Sequence, residues 1–332
     1  MKVRGKGFQE YIPFSVALKN ALSHVSPLPP QSVVFHNAHG LVLAEDIVAT
    51  EDVPSFDRSA VDGYAVRASD TYRASQNKPA VLRIASKRKR LKKGEAMEVA
   101  TGDPLPSGAD AVVMLEHTIV RGDILQVLRP VAPGRNVSRK GEDVKKGELI
   151  MRAGTLLRPQ EIGMLAQLRK LKVRVHPLPR VSLITTGDEL VSPWKVEKNK
   201  TIDVNSYSLS SAVSECGAYL VSMKRVSDDP KLLEKELLRI TECDLIIISG
   251  GTSVGKRDYA PECVQRLGKL IFHGVSMRPA SPTAFGLIEG MPVFCLPGFP
   301  VASLLAFHVF VKPVIMKLRG LPPEYGKKTV KA

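Results

Sequence analysis

The stretch LIIISGGTSVGKRDY, Leu245 to Tyr259, decides the fold of the C-terminal half of the chain. An apolar run bounded by glycines is typical of a buried strand in a parallel sheet. The glycines allow the backbone to approach an anion and to point N–H groups at it. Lys256 and Arg257 can neutralise phosphate, and Asp258 can hold a divalent cation that bridges to phosphate. The stretch matches neither the Walker loop nor G-x-G-x-x-G, so a plain strand-to-helix connection stays an open alternative.

Strands and helices alternate around this stretch from Val173 onwards. This alternation predicts a mostly parallel sheet with helices on both faces, which is a three-layer α/β domain. The predicted strands are RVSLITTG (180–187), AYLVSMKRV (218–226), CDLIIISGG (243–251) and MPVFCLPGFP (291–300). The predicted helices are SYSLSSAVSECG (206–217), which ends at Gly217, DPKLLEKELLRITE (229–242) and PVASLLAFHVFVKPVIMKL (300–318).

Polar and glycine-rich loops follow the predicted strands, and ligands of such sheets bind at the carboxyl ends of the strands. We therefore expect these loops to converge on one crevice. Asp228 and Asp229 could instead cap the next helix, and Asp188 could be an ordinary turn residue. The loop residues are Asp188, Glu189, Asp228, Asp229, Ser249, Gly250, Gly251, Ser253, Gly255, Pro297 and Gly298.

The N-terminal half of the chain has a different pattern of apolar and turn-forming residues. Apolar spacing predicts a helix that begins with Ser15 as its N-cap and ends at Pro27–Pro30, and a second helix that begins at Pro159. Residues from about 45 to 150 contain short strand-like runs separated by Gly, Pro and Asp turns, which indicate a β-rich domain inserted between the two helices.

Composition narrows the class of protein. The chain carries 48 Lys and Arg against 33 Asp and Glu, a net charge of +15 that favours anionic partners. The basic run KRKRLKK (87–93) has no aromatic residue, so single-stranded nucleic-acid binding is poorly supported, and a solvated hairpin tip explains the run. We expect four reduced cysteines, no membrane span because Lys312 and Pro313 interrupt the apolar tail, no export signal and a cytoplasmic protein.

The order of the motifs resembles that of the molybdopterin molybdenumtransferases, the MoeA and gephyrin E-domain family. The similarity covers about residues 13 to 320. The motifs are SFDRSAVDGYAVR (55–67), TGDPLPSGADAVV (101–113), GEDVKKGELI (141–150), TTGDEL (185–190), DVNSYSL (203–209), SGGTSVGKRDY (249–259) and LPGFP (296–300).

The resemblance implies a multidomain α/β protein. An elongated dimerisation domain (1–45 and 146–175) would carry an inserted β-rich domain (46–145), followed by a molybdopterin-binding domain (176–320) and a tail (321–332). The implied transferase is a homodimer that takes adenylylated molybdopterin and molybdate or tungstate, releases AMP with the help of Mg²⁺, and loads the metal to give molybdenum cofactor. A molybdopterin adenylyltransferase is an implied partner.

The resemblance also implies site residues. Asp62, Thr101 and Asp143 would serve the crevice of the neighbouring subunit. Around the metal and the phosphate it places Glu189, Asp228 and Asp258, with Asp228 and Asp258 as metal ligands. The residues that the resemblance assigns to substrate binding are Ser249, Gly250, Gly251, Ser253, Gly255, Arg278, Ser281, Pro297 and Gly298. Turn roles stay open for Asp62 and Asp143, because each lies beside a glycine.

This sequence departs from the family pattern in three ways that concern the loading of the metal into molybdopterin. Ser281 stands where the family has a lysine, with Arg278 as the cation that could replace its charge, and Phe299 stands where a small amide is usual. The family's C-terminal β-barrel, about eighty residues by ordinary domain sizes, is not matched. A non-catalytic molybdopterin-binding or scaffold protein is therefore the alternative. A nucleic-acid binder is disfavoured because carboxylates in the crevice repel phosphate unless a metal intervenes.

Overall fold

The computed structural model describes residues 11–86, 90–252 and 259–323. Its strands are β1 Ile12–Pro13, β2 Gln31–Val34, β3 Val42–Leu43, β4 Ile47–Val48, β5 Arg58–Ser59, β6 Gly63–Val66, β7 Ala80–Ile84, β8 Glu95–Val99, β9 Ala111–Met114, β10 Thr118–Arg121, β11 Ile124–Val127, β12 Val137–Ser138, β13 Leu149–Met151, β14 Lys172–His176, β15 Arg180–Thr186, β16 Leu190–Val191, β17 Thr201–Ile202, β18 Tyr219–Val226, β19 Leu245–Ser249, β20 Lys269–His273, β21 Val275–Ser276, β22 Ala284–Ile288 and β23 Met291–Leu296. Its α-helices are α1 Phe14–Ser23, α2 Pro159–Gln167, α3 Val204–Glu215, α4 Pro230–Arg239, α5 Ala260–Leu267, α6 Pro300–Ala306 and α7 Lys312–Leu318, and a π-helical segment, Phe307–Val311, joins α6 to α7.

The described residues form two compact units. The first consists of the described residues within 1–45, 152–163 and 171–332, and the second of those within 46–151 and 164–170. Residues 146–151, which the sequence analysis placed in the dimerisation domain, belong to the second unit because β13 pairs with β4.

A six-stranded sheet in the order β18-β15-β19-β23-β22-β20 forms the centre of the first unit. The four neighbouring strands β18, β15, β19 and β23 pair in parallel. Strand β22 pairs antiparallel with β23 on one side and with β20 on the other. The sequence analysis missed these two antiparallel strands. In the structure Glu289 and Gly290 both have positive φ, as in the tight turn of a hairpin between β22 and β23.

Helices cover both faces of this sheet, so the unit has three layers. Helices α3, α6 and α7 pack with α1 on one face, and α4 and α5 pack on the other. The central strand β19 is buried at every residue, as the unbroken apolar run predicts. Helix α3 ends before Gly217, whose φ of 69° is the left-handed conformation that glycine adopts readily at a helix end.

The N-terminal segment completes the first unit. Helix α1 begins at Phe14 with Pro13 as its N-cap, so the prediction of Ser15 as the N-cap was wrong, and Ser15 lies within the first turn. The predicted stop before Pro27 was right, since the helix ends at Ser23. Strand β14 pairs with β2 and β3 in a small antiparallel sheet.

The predicted helix from Pro300 to Leu318 is confirmed, and it continues through Lys312 and Pro313. The expectation that these two residues leave the apolar tail too short to span a membrane was wrong. The helix has 19 residues and a mean hydropathy of 1.7, enough in length and composition to cross a membrane. However, 56% of it is buried inside the protein. Phe307, Phe310 and Ile315 are fully buried in the core beside the sheet, which is the position of a core helix.

The second unit contains a six-stranded sheet in the order β10-β11-β7-β8-β6-β9. All pairs are antiparallel except β7 with β8. Tyr64, Leu82 and Leu125 form part of its core. Gly63 lies where β6 meets β9, and a Cβ there would collide with the carbonyl oxygen of Val113, which explains the glycine beside Asp62.

Candidate functional site

The glycine turn after β19 lies at the carboxyl edge of the parallel strands. Gly250 has a φ of 107° and Gly251 a φ of 63°, conformations that side chains disfavour. A Cβ at Gly250 would lie 2.5 Å from the carbonyl oxygen of Thr186. The turn is therefore pressed against the end of β15, and the loops that follow β15 and β19 meet here as predicted.

Asn205, the second residue of α3, joins this turn to the loop after β23. Its Nδ2 donates to Ser249 Oγ at 2.9 Å and to the carbonyl oxygen of Gly298 at 2.8 Å. Its Oδ1 is buried and has no hydrogen-bond partner among the described residues. A buried acceptor without a partner is costly, so this oxygen is a candidate to receive a donor from a ligand.

The hydroxyl of Ser249 is directed into the protein. It accepts from Asn205, donates to the carbonyl oxygen of Pro297 at 3.3 Å and lies 3.2 Å from Ser303 Oγ. Only 2% of Ser249 is exposed. These contacts fix the turn and the loop after β23 together, and a direct bond from Ser249 to a ligand stays a prediction.

The N-terminus of α3 positions Asn205. Asp203 is the N-cap, and its carboxylate accepts from the backbone N–H of Ser206 at 3.0 Å. The same carboxylate accepts from the hydroxyl groups of Thr185 and Ser206. This buried network ties the start of α3 to the end of β15. Asn205 lies within the motif DVNSYSL, but it was not among the predicted site residues.

A chain of hydrogen bonds links the loops after β15 and β18. The backbone N–H of Asp228 donates to Asp188 Oδ1 at 3.1 Å, and the hydroxyl of Tyr259 donates to Asp228 Oδ1 at 2.7 Å. Burial raises the pKa of Tyr259, and the adjacent Asp228 raises it further. Tyr259 therefore stays a protonated donor at neutral pH and holds one oxygen of Asp228. Tyr259 was not among the residues predicted from the sequence to act in the site.

The two adjacent aspartates have separate roles. Asp229 is the N-cap of α4, and its side chain accepts from the backbone N–H of Lys231 at 2.8 Å. Asp228 does not cap the helix and contacts Tyr259 instead. The capping interpretation therefore holds for Asp229, and the role of Asp228 in the site stays a prediction.

Glu189 lies on the exposed loop that follows β15. A Cβ on Gly187 would lie 3.0 Å from both of its carboxylate oxygens, so the side chain folds back over that glycine. The loop is held by Lys200, whose Nζ donates to the carbonyl oxygen of Asp188 at 2.7 Å, and by a backbone bond from Thr201 to Glu189. The role of Glu189 in catalysis stays a prediction.

A magnesium site at these carboxylates stays a prediction. Within residues 11–86, 90–252 and 259–323, no three Asp, Glu, His or Cys side chains are grouped closely enough to hold a metal. Mg²⁺ is usually bound by one or two carboxylates with substrate phosphates and water completing its shell. Asp228 can supply one such carboxylate. Ser253, Gly255 and Asp258, the second predicted ligand, lie outside the described residues.

Arg278 and Ser281 lie in the turn between β21 and β22. The backbone N–H of Val275 donates to the carbonyl oxygen of Ser281 at 2.8 Å, and Ala280 has a φ of 83°. Ser281 is half-buried and Arg278 is exposed. The binding of an oxyanion at this turn stays a prediction.

The predicted residues of the second unit are grouped around β5. Asp62 accepts from the backbone N–H of Thr101 at 2.7 Å and from its hydroxyl at 2.8 Å, and these bonds hold the pKa of Asp62 below its ordinary value. The backbone N–H of Gly102 donates to the carbonyl oxygen of Ser59 in β5. The guanidinium of Arg58, also in β5, lies 4.0 Å from the carboxylate of Asp143.

Asp52 orders the loop that carries Asp143, and the sequence analysis missed it. Its carboxylate accepts from the backbone N–H of Lys146 at 2.9 Å and lies 3.4 Å from the ammonium of Lys140. The bond from Lys146 is the main reason why the pKa of Asp52 is lowered. The backbone N–H of Asp143 donates to the carbonyl oxygen of Val53, so the whole loop is fixed against residues 52–54.

Comparison with known proteins defines the class of this fold and site. Residues 12–168 match the family described as the MoeA N-terminal region (domain I and II), and residues 182–317 match the probable molybdopterin binding domain. The structure is similar to the crystal structure of the molybdopterin biosynthesis moeA protein from Pyrococcus horikoshii, with a TM-score of 0.80 and 36% identity, covering 94% of this chain and 80% of that one.

Two relatives found by sequence comparison are named molybdopterin molybdenumtransferases. The chain is 35% identical to molybdopterin molybdenumtransferase 2 of Mycobacterium tuberculosis, covering 89% of this chain and 77% of that protein. It is 33% identical to the molybdopterin molybdenumtransferase of Staphylococcus aureus, covering 93% of this chain and 76% of that protein. The chain belongs to the molybdopterin molybdenumtransferase (MoeA) family, and it spans about three quarters of the length of these relatives. The resemblance found in the motifs is confirmed.

Proposed function

We propose that the protein is a transferase that loads molybdate or tungstate into adenylylated molybdopterin and releases AMP in a magnesium-dependent reaction. Its place in molybdenum cofactor biosynthesis follows from the family. The proposal of catalysis rests on one observation: Asp228 is held by the hydroxyl of Tyr259 at the edge where the glycine turn lies. A scaffold has no need for a carboxylate positioned in this way.

The glycine turn supports substrate binding. Backbone N–H groups of a turn with consecutive positive φ values form a concave site for phosphate oxygens. The free Oδ1 of Asn205 can accept a hydrogen bond from an amine or amide of the substrate. Water cleaves the phosphoanhydride of the adenylylated substrate, AMP leaves with one phosphate, and the other phosphate stays on molybdopterin.

The role of Asp228 follows from charge. A bound Mg²⁺ would polarise the phosphate and neutralise charge that develops on the leaving AMP. Asp228 would hold the ion, and Tyr259 keeps the carboxylate oriented for this contact. Because few protein ligands converge here, we expect Mg²⁺ to bind weakly without the substrate.

A direct assay tests the proposal. The protein is incubated with adenylylated molybdopterin, molybdate or tungstate, and Mg²⁺, and AMP release and metal-loaded cofactor are measured. A reaction without Mg²⁺ is the control. Binding of adenylylated molybdopterin without AMP release would favour the non-catalytic molybdopterin-binding or scaffold alternative. The cytoplasmic location and the adenylyltransferase partner stay predictions from the sequence.

A homodimer with shared sites is part of the proposal. Asp62, Thr101 and Asp143 belong to one compact unit and Asp228 to the other, and the resemblance assigns the first three to the neighbour's crevice. We expect Asp62→Ala and Asp228→Ala chains to be inactive separately. Mixed by unfolding and refolding together, they should recover about a quarter of the wild-type rate, because random pairing leaves one intact site in half of the dimers.

Sedimentation of the wild-type protein accompanies this mixing experiment. An active monomer at the assay concentration would rule out shared sites. Failure of the mixture to recover activity, with dimers present, would mean that each site is formed within one chain.

The change Ser281→Lys tests the turn between β21 and β22, where this chain has serine in place of the family's lysine. A charge-assisted hydrogen bond is stronger than the neutral bond that a serine hydroxyl offers, so we expect molybdate binding to tighten by about 1 kcal/mol. Calorimetric titration with molybdate and tungstate measures the effect. Ser276→Lys, which adds the same charge at an exposed position of β21, is the matched control. Equal affinities in wild type and Ser281→Lys would mean that Arg278 already supplies the charge or that the oxyanion binds elsewhere.

A further inference from the structure

Phe299 is an exposed aromatic side chain at a position where its presence does not stabilise the fold. Its side chain is 82% exposed, although it is the N-cap of α6. No side chain caps this helix. Asn, Asp and Ser at an N-cap stabilise a helix through a side-chain hydrogen bond, which a phenyl ring cannot make. Neither burial nor helix capping therefore explains why a phenylalanine occupies position 299.

The position of Phe299 relates it to the candidate site. The preceding residue, Gly298, accepts a hydrogen bond from Asn205, whose Oδ1 has no partner among the described residues. A Cβ on Gly298 would lie 3.7 Å from the Cα of Gly250 in the glycine turn. Phe299 therefore directly follows the residue, Gly298, at which the loop after β23 contacts the glycine turn after β19.

We propose that Phe299 is a stacking surface for a flat heteroaromatic ring of the substrate. This inference rests on the proposed function, in which the glycine turn binds a phosphate of adenylylated molybdopterin. That substrate carries two flat ring systems, the pterin and the adenine, and either can stack on a phenyl face. The face of Phe299 would thus provide affinity for a ring next to the phosphate, as aromatic residues do for bases in single-stranded nucleic acids.

Calorimetric titrations with three probes test the inference. Molybdopterin carries the pterin without adenine, AMP carries adenine without the pterin, and pyrophosphate carries no ring. We expect Phe299→Ala to weaken the binding of one ring-bearing probe about 5- to 150-fold, the range of base–aromatic stacking. Pyrophosphate binding should not change. The probe that weakens identifies the ring.

Two further variants serve as controls. Phe299→Tyr keeps an aromatic face and should bind the ring within about threefold of wild type, because stacking depends on the face and not on the para position. Val301→Ala removes a neighbouring apolar side chain that is 76% exposed, and it should leave all three affinities unchanged.

The change Phe299→Asn separates a binding role from a structural one. Asparagine can cap α6, so the thermal midpoint of this variant should rise while its affinity for the ring falls. A side chain with a purely structural role would not show this opposite pair of changes.

The outcomes distinguish the inference from the proposed function. If Phe299→Ala binds molybdopterin and AMP as tightly as wild type does, the stacking role is overturned and the proposed function stands. If Phe299→Ala changes only the sedimentation of the protein, the ring belongs to a subunit interface and the stacking role is again overturned. If wild type binds neither ring-bearing probe nor adenylylated molybdopterin, the proposed function fails and the inference fails with it.

Discussion

The change Asp228→Asn is expected to lower magnesium-dependent AMP release about a hundredfold or more, the size of effect that follows loss of one aligned electrostatic group in a site. The amide has nearly the shape of the carboxylate and can still accept the hydrogen bond from Tyr259. It lacks the negative charge that a metal ligand needs. Steady-state measurement of AMP release over a range of Mg²⁺ concentrations would show the loss.

Asp229→Asn is the matched control for this experiment. The adjacent residue is the N-cap of α4, and asparagine is about as good an N-cap as aspartate. We therefore expect its AMP release and its thermal midpoint to stay close to those of wild type. Equal rates in Asp228→Asn and wild type would contradict the role of Asp228, whereas equal losses in both variants would indicate a general effect of charge in the loop.

The change Gly250→Ala should destabilise the first unit strongly. Its added Cβ would lie 2.5 Å from the carbonyl oxygen of Thr186 and 2.7 Å from Thr186 Oγ1, at a φ of 107° that alanine rarely adopts. Backbone strain and overpacking together should lower the free energy of unfolding by about 3 kcal/mol. Urea denaturation followed by circular dichroism measures this loss.

Gly298→Ala provides the control at the facing loop. Among the described residues, its added Cβ would meet the Cα of Gly250 alone, at 3.7 Å, which is an ordinary van der Waals distance. We expect its unfolding free energy to change by less than about 1 kcal/mol, as for a substitution without a clash. A Gly250→Ala protein as stable as Gly298→Ala would show that the turn is not held against β15 in solution.

Much of the first unit followed from local patterns in the sequence. The unbroken apolar run of β19, the alternation of strands and helices, and Gly217 after α3 each report on residues that are close along the chain. Such patterns reflect burial and backbone conformation, which depend mainly on residue type. Even so, the N-cap of α1 was misplaced, and the hairpin of β22 and β23, which turns at Glu289–Gly290, was missed.

The sequence by itself determined the family and the class of fold, and it predicted the loops that carry the candidate site residues. Only the tertiary structure separated Asp228 from Asp229, brought Tyr259 to Asp228, and showed that Asn205 joins Ser249 to Gly298. The physical reason is distance along the chain. Capping acts between near neighbours and can be recognised in sequence, whereas these contacts join residues 31 to 93 positions apart and depend on how strands and helices pack.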